Sequence, residues 1–447
     1  MSAREEDRVM SVTRRGLLQR ALWGAGAVGL KALATGLPLS LFVSPRLALA
    51  GGLPVCANPS KAQFFIMSTS SAGDPLNANV PGCYADSSIV HSADPDMAQT
   101  TFNLGSTSVS AAKPWSTLPQ WVLDRTAFWH LMTDTPAHPA EPDVLRLMGG
   151  VRPAEMLPSL LAKHLATCLG TVQPQPITLG AQSPSEGLTY GGAALPVIPP
   201  LALKATLVSP GGALSQLQGL RDQALTDLGE VLKSSGATSA QKRFIDDLVL
   251  SQNELRNVSQ TLLGSLSAIK DNSVASQATA AIALITMKVS PVVVIHLPFG
   301  GDNHRDPALA AETTQTLSSV AALGDLMQGL SNAKLTDSVS FVSLNVFGRT
   351  LGPGNVDGRQ HNANHQVSLA IGKAFKPGVI GGVAKVAGDY GAVAIDSRTG
   401  AASASGDVAP IDTLAAFGKT MMKSIGVDDT TLATAIRAGK VITSALV

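Results

Sequence analysis

The 447-residue chain is short of charge, aromatic rings and cysteine, and each shortage removes a class of function. Charged residues make up 15%, and 33 Lys and Arg stand against 32 Asp and Glu, a formal net charge of +1. Without a cationic excess the chain lacks the footprint that engages a phosphate backbone, which argues against a nucleic-acid partner. Four Trp, three Tyr and eleven Phe are too few for base-stacking platforms. No G-x-S-x-G elbow, P-loop or dinucleotide fingerprint occurs at a usable strand–helix junction, so hydride transfer and nucleotide hydrolysis lack support. Beyond residue 50 no apolar run is long enough, free of Pro and charge, to span a bilayer. What is abundant is apolar material, at 45%, which supplies a core and rules out a disordered chain.

Residues 1–50 read as an export signal. Ser11-Val12-Thr13-Arg14-Arg15-Gly16-Leu17-Leu18 carries paired arginines before an apolar pair, the twin-arginine pattern. A mildly apolar stretch from Ala21 to Val43 follows, then Ala48-Leu49-Ala50 as a small-x-small cleavage triplet. The expected location is the periplasm, reached through the twin-arginine translocase, with no membrane anchor after cleavage. The mature chain, beginning near Gly51, contains Cys56, Cys83 and Cys168. An oxidising compartment permits one disulfide and leaves one thiol. Cys56 with Cys83 is the nearest pairing, and spacing leaves the choice open.

The mature chain alternates strands and helices. Phe64-Phe65-Ile66-Met67 predicts a buried strand emptying into the polar loop Ser68–Pro75, and residues 76–120 read as a long irregular excursion. Trp121–Met132 fits strand or helix equally. Residues 143–170 look helical, interrupted at Pro153 and Pro158. Leu214–Lys233 and Ala240–Lys270 show amphipathic spacing, a helical hairpin inserted at about residues 212–270, with a further helix at Ser273–Met287. Pro291–Leu297 is a β-branched run suited to a central parallel strand. A helix at Ala308–Leu330 and a strand at Val339–Val346 follow. That rhythm predicts one α/β domain over 51–447 with a mainly parallel sheet, whose strand ends carry the ligand site.

Three loops follow candidate strands and carry chemistry. Asp302 and His304 stand in Gly300-Gly301-Asp302-Asn303-His304, and His361 and His365 lie four apart in Gly358–His365. Carboxylate and imidazole ligands suit zinc, manganese or iron and are commonly gathered from separate loops. If residues 361–365 were helical, both rings would share a face. The segment is not a zincin motif, because Asn362 stands where the general-base Glu is required. His296, inside an apolar strand, reads as a satisfied core histidine, and His91, His130 and His164 show no partner pattern. Ser68–Ser71 could offer a nucleophile, but four hydroxyls before Gly-Asp-Pro read better as a turn.

The order of these segments resembles the twin-arginine-exported proteins grouped as domain of unknown function 1501, a branch of the alkaline-phosphatase and sulfatase-like superfamily. Gly73–Pro81 is similar to the family's first-strand signature, and Gly300–His304 to its Gly-Trp-Asp-Thr-His element without the Trp. Phe347-Gly348-Arg349-Thr350 matches Phe-Gly-Arg-Thr, Gly358-Arg359-Gln360-His361 resembles Gly-Arg-Asp-His, and Ile411–Val427 looks like the closing helix. The resemblance covers most of residues 60–427. It implies an alkaline-phosphatase-like sandwich and a divalent metal held by Asp74, Asp302, His304 and His361. It further implies contact of Arg349 and His365 with a substrate or anion, and hydrolysis of phosphate or sulfate esters. Val346 and Gln360 replace the family's Glu and Asp, removing acidic ligands or their supports. They motivate the rival expectation of a non-catalytic periplasmic binding or assembly protein.

Overall fold

The structure, a computed structural model, describes residues 56–207, 223–236, 242 and 260–447, with 57, 153–154, 172, 181–186, 225, 228 and 387 excepted. The export signal and most of the expected helical hairpin at 212–270 lie outside the described residues. Seven strands make the central sheet: β1 (Phe64–Ser70), β2 (Thr126–Leu131), β3 (Ile177–Thr178), β4 (Val292–Ile295), β5 (Val339–Asn345), β6 (Gln366–Ile371) and β7 (Gly378–Ile380). Their spatial order is β7-β2-β6-β5-β1-β4-β3. β1 lies parallel to β4 and β5, β3 parallel to β4, and β7 parallel to β2. Among the described residues β6 alone runs against both its neighbours.

The apolar runs account for this arrangement. Phe65 and Met67 of β1 share one face with Val292, Val294, Val342 and Leu344. Phe64 and Ile66 face the other way with Val293, Ile295 and Phe341. Side chains alternate along a strand, so a run apolar at every position must be covered on both sides. Helices α1 (Leu157–Leu169) and α4 (Thr413–Ser424) cover the first face through Leu161, Leu165, Phe417 and Met421. Helices α2 (Val274–Thr286) and α3 (Ala310–Asn332) cover the second through Leu284, Val320 and Leu323. The result is a three-layer α/β/α domain with a mainly parallel sheet, as the strand–helix rhythm predicts. Each fully buried Phe or Ile here contributes roughly 1.5–3 kcal/mol.

Local signals explain the boundaries and correct three expectations. Pro158 starts α1 rather than interrupting it, because proline lacks only an amide hydrogen that the first turn cannot use. Trp121–Met132 divides into a short helical turn at Gln120–Leu123 and the strand β2. The excursion at 76–120 contains a hairpin, Gln99–Leu104 with Thr107–Ala112. Leu309 is the N-cap of α3, and Asp306 just before it steadies the first turn, its carboxylate accepting from the amides of Ala311 (2.7 Å) and Glu312 (2.9 Å). The disulfide joins Cys56 to Cys168, not to Cys83, and ties the segment before β1 to the last turn of α1. Nearness in sequence misleads because the fold sets the 112-residue separation of this pair to a Cα distance of 4.9 Å. Cys83 is a buried free thiol donating to the Asn77 carbonyl at 2.8 Å. Among the described residues, no helix is long and apolar enough to cross a membrane.

Candidate metal centre

The carboxyl ends of β1, β2, β4 and β5 lie at one edge of the sheet, and antiparallel β6 enters from that same edge. Four loops therefore meet there, one of them joining β5 to β6, at the position where open α/β sheets carry ligands. The loop before β6 is stitched to its neighbours. His361 pairs with Arg349 across a short antiparallel bridge, and Arg359 N donates to Asn303 O at 3.1 Å. Gly358 permits this approach: its φ is +127°, and a Cβ there would sit 2.5 Å from the His304 carbonyl oxygen. Beneath the loops, the Arg359 guanidinium meets Glu312 at 2.6 Å, both side chains fully buried. Asn79 and Asn303 also donate to that carboxylate.

Four side chains converge above this base. His138, Asp302, His304 and His361 each offer one ligand atom, and the four atoms lie within 4.8 Å of one another. His304 Nε2 stands 2.8 Å from His361 Nε2 and 3.0 Å from Asp302 Oδ1, while His138 Nε2 is 3.5 Å from Asp302 Oδ2. The other nitrogen of every ring faces an oxygen. His138 Nδ1 lies 2.6 Å from the Ser71 carbonyl, His304 Nδ1 lies 2.9 Å from Gln360 Oε1, and His361 Nδ1 meets the Pro136 carbonyl. A carbonyl oxygen can only accept, so Nδ1 of His138 and of His361 carries the hydrogen, and so does His304 Nδ1 while the Gln360 oxygen faces it; each ring, when neutral, then keeps a bare lone pair on Nε2. Three lone pairs and a carboxylate then point at one another, which is unfavourable without a cation between them. Orienting acceptors of this kind characterise metal-bound histidines, so the donor set fits a divalent ion.

The surroundings hold these ligands in place. The Phe347 ring stacks on His361 at 4.1 Å and meets His138 edge-on at 5.0 Å. Burial alone would raise the Asp302 carboxyl, but the hydrogen bond and charge of Arg349, with His304 and His138 alongside, hold it below the ordinary carboxylate value. Burial, joined by the positive Arg349, keeps His361 below the ordinary imidazole value and therefore neutral near pH 7. The Asp302 side chain is 51% exposed, so the cluster is open to solvent.

Asp302, His304 and His361 thus come together as expected, although 57 residues separate the two histidines. Three other site expectations need correcting. Asp74 does not join the group. Its carboxylate is buried, accepts from Ser70 Oγ (2.9 Å) and Phe299 N (3.0 Å), and clamps the loop after β1 to the loop after β4. Burial pushes its pKa up, opposed first by His296. Arg349 is fully buried and spends its donors inside the protein. They reach the carbonyls of Ala72 and Gly73, and Asp302 Oδ1 at 2.9 Å, leaving the guanidinium no face for an external anion. His365 is also fully buried, because residues 361–365 are not helical: the chain turns at 363–364, and the two rings part.

His138 is the ligand that sequence reading missed. It stands in a proline-rich loop after β2, and with 121–132 undecided between strand and helix that loop had no sheet edge to belong to. Two further expectations stand differently. His296 is buried, with Nδ1 2.9 Å from the Thr69 carbonyl, as a core histidine should be. Ser68, Thr69 and Ser70 belong to the end of β1 rather than to a turn, and Ser68 and Ser70 are buried and engaged with Leu297 and Asp74. Gln360, a departure from the resembled pattern, supports a ligand rather than removing one. Val346 is fully buried in the core.

A second group, Cys83, His130 and His365, also has its ligand atoms within 4.8 Å. Its hydrogen bonds close without a cation. Arg349 N donates to Asn77 Oδ1 at 2.8 Å, which directs the Asn77 Nδ2 group at His365 Nδ1 (3.2 Å). His365 Nε2 then donates to His130 Nδ1 (2.9 Å), and His130 Nε2 to the Pro81 carbonyl (2.9 Å). Both rings are neutral through burial, and no nitrogen lone pair is left facing another.

No family model matches the chain, and no curated protein matches it. Among solved structures it is similar to the crystal structure of Ps i-CgsB, with 9% identity over 85% of this chain and 75% of that one, at a TM-score of 0.35. It is also similar to the lipoteichoic acid synthase LtaP from Listeria monocytogenes, with 10% identity over 90% of this chain and 82% of that one, at a TM-score of 0.34. Similarity at that level carries neither fold nor activity across.

Proposed function

We propose that the chain is an exported, periplasmic metal-dependent hydrolase of phosphate or sulfate esters, built on an alkaline-phosphatase-like scaffold. The observation that carries this reading is the convergence of three imidazole Nε2 atoms and the Asp302 carboxylate at the ligand-bearing edge of the sheet. Neutral imidazoles with one carboxylate suit zinc, manganese or iron. A divalent cation held there would supply polarisation of an ester oxygen or a lowered pKa for a bound water. The remaining tasks belong to the chain's own residues. Arg349 fixes the Asp302 carboxylate and keeps it ionised. Phe347 and the Nδ1 acceptors fix the three rings, and the open side of Asp302 admits an ester from solvent. Arg14-Arg15 and Ala48-Leu49-Ala50 support passage through the twin-arginine translocase, which moves folded proteins, so a cation could be acquired before export.

A second reading rests on the ligand count. Four protein ligands complete a tetrahedral zinc and leave no position for water or substrate, as in structural sites. A six-coordinate manganese or iron would keep two positions open. Zinc bound by all four would favour a non-catalytic binding or assembly protein. Metal analysis of protein purified from the periplasm, with a panel of aryl phosphate and sulfate esters, separates the readings. Stoichiometric metal with turnover supports the hydrolase; bound zinc without turnover supports the binding protein; protein without metal overturns the centre itself. Replacing Arg14 and Arg15 by Lys should leave the precursor in the cytoplasm, and unchanged periplasmic yield would remove the localisation argument.

A further inference from the structure

We infer that Gln360 is a positioning residue that decides which nitrogen of His304 carries the proton, and so whether the four-ligand group is ready for a cation; this rests on the metal-centre reading above. The acceptors facing His138 and His361 are backbone carbonyls, which leave those rings one neutral tautomer. The acceptor facing His304 is a side-chain amide on an exposed residue, with Oε1 2.9 Å from Nδ1. An amide, unlike a carbonyl, can present either an acceptor or a donor.

With Oε1 towards the ring, Nδ1 keeps the hydrogen and Nε2 is bare, the state a cation requires. Turned about its last bond, the amide presents its NH2 group and Nδ1 must accept. The ring hydrogen then sits on Nε2, 2.8 Å from His361 Nε2 and 3.0 Å from Asp302 Oδ1, both of which accept. One side chain therefore satisfies both conditions of the site. It relieves the facing lone pairs when no cation is held, and it bares His304 Nε2 when one arrives. A carboxylate at this position would support only the second condition. The Gln360 backbone is tied separately: its amide donates to Thr350 Oγ1 at 2.8 Å, and its carbonyl accepts from Thr350 N at 3.0 Å. Substitution of the exposed side chain should leave the loop in place.

The test uses the mature protein stripped of metal and titrated with Co(II), followed by visible absorption, for wild type, Gln360→Leu and Gln360→Glu. Loss of an orienting partner lowers metal affinity by about 10–100-fold. Gln360→Leu should fall by that factor, and Gln360→Glu should bind at least as tightly as wild type. Nitrogen-15 NMR of labelled histidine gives a second readout that a merely structural role would not move. In the metal-free protein His304 should favour the Nε2–H form in wild type and the Nδ1–H form in Gln360→Glu, the resonance being assigned with His304→Gln. Equal cobalt affinity of wild type and Gln360→Leu, or one tautomer in both wild type and Gln360→Glu, would overturn the positioning role alone. A wild type that binds no cobalt would overturn the metal centre and this inference with it.

Discussion

Removing Arg359 while leaving Glu312 should be among the most damaging single changes to this fold. The Arg359 guanidinium donates to both Glu312 oxygens, at 2.6 and 3.2 Å, and to the carbonyls of Thr350 (2.9 Å) and Val90 (2.7 Å). In Arg359→Met the Glu312 carboxylate stays buried with only Asn79 (2.9 Å) and Asn303 (3.3 Å) to serve it, and two carbonyls lose a donor. Breaking a buried ion pair from one side costs about 3–5 kcal/mol, and the stripped carbonyls push the loss towards the upper figure. Total stability of a folded domain is about 5–15 kcal/mol, so the change should be obvious in urea unfolding of the mature protein. Adding Glu312→Met should recover much of the loss, since replacing a whole buried pair by apolar residues is often near neutral. The single variant should also bind metal more weakly, because the loop that carries Gln360 and His361 loses its buried anchor on Glu312. A loss under about 1 kcal/mol for Arg359→Met, or a double variant as damaged as the sum of the singles, would refute the reasoning.

Four further outcomes follow from the geometry. His138→Ala should abolish stoichiometric metal retention while changing metal-free stability by less than about 1 kcal/mol, since the side chain is one-third exposed; retained metal in the purified variant would remove His138 from the ligand set. Burial lowers His130 and His91 to about 4, so below an unfolded value near 6.5 the unfolded chain takes up protons that the native state refuses. Stability should therefore fall as pH drops from about 6.5 towards 4, by about 3 kcal/mol from His130 alone, and His130→Gln should flatten urea midpoints measured across that window. Burial pushes the Cys83 thiol up to about 12, so a thiol reagent should find none in the native protein and one after unfolding without reductant; in the same protein, replacing Cys56 and Cys168 by Ser should cost about 2–5 kcal/mol in urea unfolding.

The sheet's core was legible because strands covered on both faces must be apolar at every position, and Phe64–Met67 and Val292–Ile295 are. Asp302, His304 and His361 were legible too, since they stand in glycine-containing loops after such strands. The strand β2 was not: Thr126-Ala127-Phe128-Trp129-His130-Leu131 is too short and too uniformly buried for periodicity to separate strand from helix. With β2 unassigned, His138 had no place at the ligand edge. Local spacing failed in the same way for His361 and His365, whose four-residue step means a shared face only within one regular helix or strand. Here a turn sends one ring to the open cluster and the other under the sheet edge. Cys168 reaches Cys56, and Arg349 turns inward to Asp302, through contacts between segments far apart in the chain. Residue type and local pattern determine which groups can ligate and which stretches must be buried. Strand order and loop closure, set by packing across the whole sheet, decide which of those groups meet.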